Sequence, residues 1–179
     1  MDSISQAKPN VGTACLEQQK YAAELALVAD RLGSDAWKRI DQFESEIEKL
    51  PQEAYPLHHI FTHGPDGKVN LYTREIWMPK GSLLTTRIHL SEHPFVISSG
   101  VVAVWDDIDG WIVLRAPHTG VTKPGTRRIL YVLEDTLWST FHVTDKTDPD
   151  EIVKEVTFTG GKFSELRGAA EIKKEELPA

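Results

Sequence analysis

"GSLLTTRIHLSEHPFVISSG", Gly81 to Gly100, is the stretch that decides how this chain folds. Between its two glycines stand Arg87, His89 and His93. Five residues separate Gly81 from Arg87, three separate His89 from His93, and six separate His93 from Gly100. On one straight strand, residues four apart lie roughly 13 Å from each other, too far for two imidazoles to act on one ligand. "LSE" therefore reads as a turn, with His89 ending one strand and His93 opening the next. Paired across such a hairpin, two Cβ atoms come within about 5 Å. Pro94 suits the start of an edge or bulged strand, where its missing N–H breaks no ladder.

Strand-like sequence surrounds this segment. "VNLYTREIWM" precedes it and stops at the turn signal Pro79-Lys80-Gly81. "SLLTTRIHL" continues in extended style, followed by "FVISS", Gly100 and "VVAVW". The acidic turn "DDIDG" leads to "WIVLRA", and "RRILYVLE" and "TLWSTFHVT" add two further strand candidates. Seven or so short strands between turns predict an all-β barrel or sandwich. Upstream, "CLEQQKYAAELALVADRL" is rich in helix formers and is stopped by Gly33. A second helix is predicted in "SDAWKRIDQFESEIEKL", where Ile40, Phe43, Ile47 and Leu50 make one apolar stripe before Pro51. Near the end, Asp148-Pro149-Asp150-Glu151 reads as an N-cap, a first-position proline and acidic residues opening the helix "PDEIVKEV". The chain thus divides into a helical N-terminal appendage (1–54), a β domain (55–157) and a polar C-terminal tail (158–179).

The totals narrow the chemistry. A chain of 179 residues accommodates one domain plus an appendage. A formal charge of -7 without any block of lysines or arginines argues against nucleic acid as the main partner. The single cysteine, Cys15, excludes an internal disulfide framework and a cysteine-based metal cluster. A transition metal here must use histidine and carboxylate. "MDSISQAKPN" lacks the apolar core of a secretory signal, and no window approaches a membrane span. The expectation is a soluble cytoplasmic protein with no membrane partner.

The spacing from Gly81 to Gly100 also matches a known pattern. The first cupin motif runs glycine, five residues, His, any residue, His, three or four residues, Glu, six residues, glycine. Arg87 stands where its first His would be, and His93 where its Glu would be. With "YTREIWMPKG", "IHLSEHPFVISSG", "KPGTRR" and "LEDTLWSTFHVTDKTDPDEI", the segment from about Leu57 to Val156 resembles a group of small cupin-like proteins often encoded by phages and prophages. The resemblance implies a cupin jelly-roll barrel, preceded here by two α-helices and closed by a short one. It further implies a homodimer paired through its sheets and, for a phage-encoded chain, the cytoplasm of a bacterial host. It implies no particular reaction.

In a cupin barrel a third ligand comes from a later strand after a glycine-proline turn. "TKPGTRR" supplies the turn, but Arg128 falls where the second motif's histidine would lie. His142 ends the next strand on the face shared by Trp138 and Thr140, and takes that place. The expected metal set is His89, His93 and His142, three neutral imidazoles suited to iron, manganese, zinc or nickel. The function expected from this set is that of a divergent metal-binding cupin, an enzyme acting on a small polar or sugar-like substrate. Arg87 counts against it, because a guanidinium never ligates and repels a cation unless a carboxylate such as Glu75 or an anionic ligand intervenes. Two alternatives stay open. Arg87, Arg128 and the histidines make a metal-free pocket for a small-molecule carboxylate, phosphate or sugar acid. Or Arg87 and Glu75 form a salt bridge in a barrel that serves only as a scaffold for a phage-associated structural or interaction protein.

The remaining candidates are weaker. His58, His59 and His63 read as the strand leading into the barrel, with His59 alone facing a pocket, and His118 reads as a turn residue. Trp77, Trp105, Trp111 and Trp138 suit a core or a dimer interface. "GPDGK" lacks the setting of a phosphate loop, and Asp106, Asp107 and Asp109 fit a hairpin turn better than a calcium loop.

Overall fold

The computed structural model describes residues 35–106 and 110–158. The predicted helix over Cys15–Leu32, the two polar termini and Asp107 and Asp109 of the acidic turn lie outside the described residues. The elements are α1 (Asp35–Ile47), β1 (Leu57–His63), β2 (Val69–Met78), β3 (Leu83–Thr85), β4 (His93–Asp106), β5 (Gly110–Arg115), β6 (His118–Thr122), β7 (Ile129–His142) and α2 (Pro149–Val156). All seven strands pair antiparallel.

β4 and β7, 14 residues each, are the spine. Where the sequence suggests two strands broken at Gly100, β4 runs through, and β7 likewise joins "ILYVLE" to "TLWSTFH". The break in pattern is a bend. The β4–β7 register shifts between Ile97 and Ser99, between Ser99 and Val101, and between Val101 and Val102. Each such irregularity bends and twists a strand. Gly100 sits at this corner with φ +90°, and a Cβ placed there would stand 2.2 Å from the Asp135 carbonyl oxygen. No other residue lets the two strands cross so closely.

The corner folds one sheet into two facing halves. One runs β1-β2-β7-β4-β6, using the C-terminal part of β7 and the N-terminal part of β4. The other runs β3-β7-β4-β5 through the remaining parts. Met78, Phe95, Ile97 and Trp138 of the first meet Val102, Val104, Leu130 and Val132 of the second in one core. This is an all-β jelly-roll barrel. Period-two alternation sends every second residue of both halves inward, and each apolar side chain of this cluster contributes roughly 1.5–3 kcal/mol on burial.

Three local expectations need correction. Of the extended run "SLLTTRIHL" only Leu83–Thr85 is a strand, and His89 forms a single bridge to Thr157. His118 opens β6 opposite Ile97 instead of sitting in a turn. That strand hides in the sequence because Gly120 interrupts it. Glycine is needed there because a Cβ would fall 2.5 Å from the Phe95 ring. Leu50 lies past the end of α1 and is 56% exposed.

The helices are docked by named contacts. Trp37 and Ile40 of α1 are fully buried, and the buried Arg127 guanidinium donates to Asp41 (2.7 Å) and to the Glu44 carboxylate. Thr85 of β3 donates to the same Glu44 at 2.6 Å. Asp148 caps α2 as predicted, accepting from the backbone N–H groups of Asp150 and Glu151. Ile152 and Val156 then pack on Tyr72. Trp138 belongs to the core, whereas Trp77 and Trp111 are exposed on the outside. Among the described residues no helix is long and apolar enough to cross a membrane.

Gly100→Ala should cost at least 2–4 kcal/mol, because backbone strain and a clash with backbone atoms add. Gly81→Ala shares a positive φ of 87° but has open space around its Cβ, so it should cost about 1 kcal/mol. Urea unfolding midpoints of the two variants measure the difference, and equal losses would contradict a packed corner at Gly100.

Candidate functional site

Directly paired residues of antiparallel strands share a face, so the register places the inward side chains in rows. On the first half-sheet, Tyr72 of β2 opposes His142 of β7. The next row carries His59, Arg74, Thr140 and Phe95. The row after that carries Leu57, Ile76, Trp138 and Ile97. Successive rows stand roughly 7 Å apart. Polarity therefore changes along the barrel, from histidine through arginine to apolar core.

A cavity of about 430 Å³ lies over these rows. Arg87 and His89 enter it from the segment after β3, Arg128 from the start of β7's approach, and Val153 and Val156 of α2 complete the lining. His89 and His93 do not pair across a hairpin. His89 bridges Thr157 and His93 opposes Thr122, yet their rings meet at 4.5 Å between centroids. His93 and His142 are closer, at 4.3 Å. Tyr72 continues the run, 6.2 Å from His142 and 5.9 Å from His59, whose Nδ1 lies 2.6 Å from the Tyr72 hydroxyl. The three histidines expected to act together are thus brought together, and His59 joins them through Tyr72.

Their protonation follows from their surroundings. Burial drives the His89 pKa from 6.5 to about 2, helped by His93, His142, Arg128 and Arg74. Burial, then His93 and Arg74, drive His142 to about 3. His93 is lowered as well, mainly by burial. All three are neutral at pH 7, each with one N–H and one lone pair. The Ser91 carbonyl, 3.2 Å from His93 Nδ1, can only accept, so Nδ1 carries the proton and Nε2 the lone pair. The Thr140 hydroxyl donates to the Arg74 carbonyl and accepts from His142 Nε2 at 3.2 Å, which leaves the lone pair on His142 Nδ1. His93 Nε2, His142 Nδ1 and His89 Nδ1 are buried with no hydrogen-bond partner among the described residues.

The arginines differ from expectation. Arg128 lines the cavity but is engaged, 3.0 Å from Thr122 Oγ1, 3.7 Å from Asp106 and 5.6 Å above the Phe95 ring. Glu75 is not at the site. One step along β2 from Arg74, it points to the opposite face, where it accepts from Ser139 at 3.0 Å and meets His58 at 3.2 Å. A salt bridge between Arg87 and Glu75 is therefore not formed. Arg74, which sequence reading passed over, lines the cavity instead. Burial pulls its guanidinium below the ordinary value, with Tyr72 opposing and Arg87 adding. Neither Arg74 nor Arg87 has a side-chain ion pair or hydrogen bond among the described residues. The carboxylate lining the cavity among the described residues is that of Asp150, exposed in the first turn of α2. Arg74 could have been found from the alternation Tyr72-Arg74-Ile76-Met78, which places a guanidinium on a strand's buried face.

A metal ion suits this donor set in kind, since three neutral imidazoles with buried lone pairs are good ligands. It does not suit the arrangement as it stands. The rings lie against one another, and no three His, Cys, Asp or Glu side chains among the described residues form a group able to hold an ion. The arginine charges that disfavour histidinium disfavour a cation equally.

No family model matches the chain, and no curated protein does. Among solved structures, it is similar to a cupin-2 domain containing protein from Shewanella frigidimarina (11% identity, 57% of this chain and 92% of that one, TM-score 0.38). KdgF from a Halomonas species gives 13% identity, 56% and 93% coverage and a TM-score of 0.40. The Schizosaccharomyces pombe Cnp3 cupin domain gives 13%, 61% and 71%, and 0.40. Likeness at this level transfers no activity.

The neutral histidines make a stability prediction for chelator-treated protein. Their folded pKa values lie below the unfolded value near 6.5, so the unfolded chain binds more protons as pH falls. Stability is fully present above pH 6.5 and is lost on acidification, with His89 and His142 each contributing a slope of about one proton, on the order of 1 kcal/mol per pH unit, between pH 6 and 4. His142→Gln should reduce that slope by about one proton in urea unfolding series. An unchanged slope would show that His142 is not buried neutral.

Proposed function

We propose that this barrel binds a small organic anion in the cavity beneath α2, with Arg74 and Arg87 as the residues that hold it. The observation that carries this reading is a pair of guanidiniums facing one cavity without a carboxylate partner among the described residues. A guanidinium stays charged in a protein, and a charge taken out of water is costly unless paired. An incoming carboxylate or phosphate pairs the half-buried Arg74 and is within the field of the exposed Arg87, with the planar fork suited to bidentate contact. Arg128, fixed by Thr122 and Asp106, adds positive potential without moving.

A second reading has its own observation. The lone pairs on His93 Nε2 and His142 Nδ1, with His89 beside them, are the donors a divalent transition metal takes. An ion there needs the rings turned out of their mutual contact and the arginine charge offset by an anion. The metal reading is therefore the more demanding of the two, and an enzymatic role for the cavity would rest on it.

Anion binding raises the melting temperature by mass action. Inorganic phosphate and butyrate at millimolar concentration should each be tested on chelator-treated protein carrying no histidine tag, and at least one should raise it. Arg74→Gln should weaken that binding about tenfold or more, the worth of a charged hydrogen bond. Binding that disappears on chelation, and returns with one equivalent of metal retained by wild type but not by His93→Ala, would replace the first reading with the second.

A further inference from the structure

We infer that the anion is a 2-hydroxy carboxylic acid with an apolar body, a refinement that rests on the anion reading above. Three neighbouring rows of the sheet ask for three different groups. The middle row, through Arg74, takes the carboxylate, and the exposed Arg87 on the lining of the same cavity adds a second guanidinium.

On one side of that row stand His93 and His142, whose buried lone pairs have no hydrogen-bond donor among the described residues. A carboxylate oxygen pressed against them meets a lone pair with a lone pair. A hydroxyl on the carbon next to the carboxyl points an O–H there while the carboxylate stays on the guanidiniums. It also satisfies an acceptor whose desolvation is otherwise uncompensated.

On the other side, about 7 Å farther along the strands, Leu57, Ile76 and Trp138 present an apolar surface continuous with the barrel core. A phenyl or branched alkyl group reaches that far. The polyhydroxyl body of a sugar acid finds a single hydrogen-bonding group in that row, the Trp138 indole N–H, beside Leu57, Ile76 and Ile97. A cavity of about 430 Å³ holds an acid of this size.

The test is a thermodynamic square on chelator-treated protein: propionate, lactate, 3-phenylpropionate and 3-phenyllactate by isothermal titration calorimetry. Stripping metal beforehand removes chelation as a source of any hydroxyl effect. Adding the hydroxyl should tighten Kd about fivefold or more in both pairs, the worth of a donor to a buried acceptor. Adding the phenyl should tighten it at least tenfold in both. Ile76→Thr should shrink the phenyl increment and leave the hydroxyl increment in place. Arg74→Gln should weaken all four acids by a similar factor. The inference is overturned if the hydroxyl or the phenyl leaves Kd unchanged or loosens it, or if inorganic phosphate binds more tightly than all four acids. If none of the four acids binds and inorganic phosphate, titrated in parallel, does not bind either, the anion reading itself fails, which the wild-type titrations alone decide.

Discussion

The close crossing of β4 over β7 at Gly100 is the constraint on which the rest of the molecule depends. With 2.2 Å between a notional Cβ and the Asp135 carbonyl, only a glycine fits. The bulges clustered there turn one sheet into two facing halves. Had the strands run straight, Phe95, Ile97 and Trp138 would not meet Val102, Val104 and Val132, and there would be no interior to line. His93 and His142 sit at the ends of these same two strands. Their proximity is thus a consequence of the register that the corner sets.

Within that interior the electrostatics are uneven in one direction. Three imidazoles are held neutral by burial, and beside them stand the half-buried Arg74 and the exposed Arg87, without a carboxylate partner among the described residues. The nearest acid along β2, Glu75, is spent on the outer face with Ser139 and His58. The charge at the cavity is complementary to an anion, and the rows along the strands run from histidine through Arg74 to apolar side chains.

Much of this was legible in the sequence, and what was not has physical causes. The strand-like run "VNLYTREIWM" before the turn Pro79-Lys80-Gly81 and the cap before "PDEIVKEV" located β2 and α2 to the residue, because both signals are local. The spacing around His89 and His93, with His142 at a strand's end, foretold their meeting. The pairing that achieves it was not legible, since bridges to Thr157 and Thr122 depend on distant segments. Gly100 read as a strand break because a bend and an end look alike in one dimension. β6 was missed because Gly120 yields its side-chain space to Phe95. Arg74 escaped notice because an arginine in a strand looks like an outward residue until its register with Thr140 and His59 is known.

The most direct test of the central claim is the position of a marked acid in the cavity. Crystals soaked in 3-(4-bromophenyl)lactate should show one bromine anomalous peak beside Ile76 and Trp138, with the carboxylate between Arg74 and Arg87 and the hydroxyl toward His93 and His142. A bromine peak at the histidine end, or an anomalous signal confined to the outside of the barrel, would contradict the account.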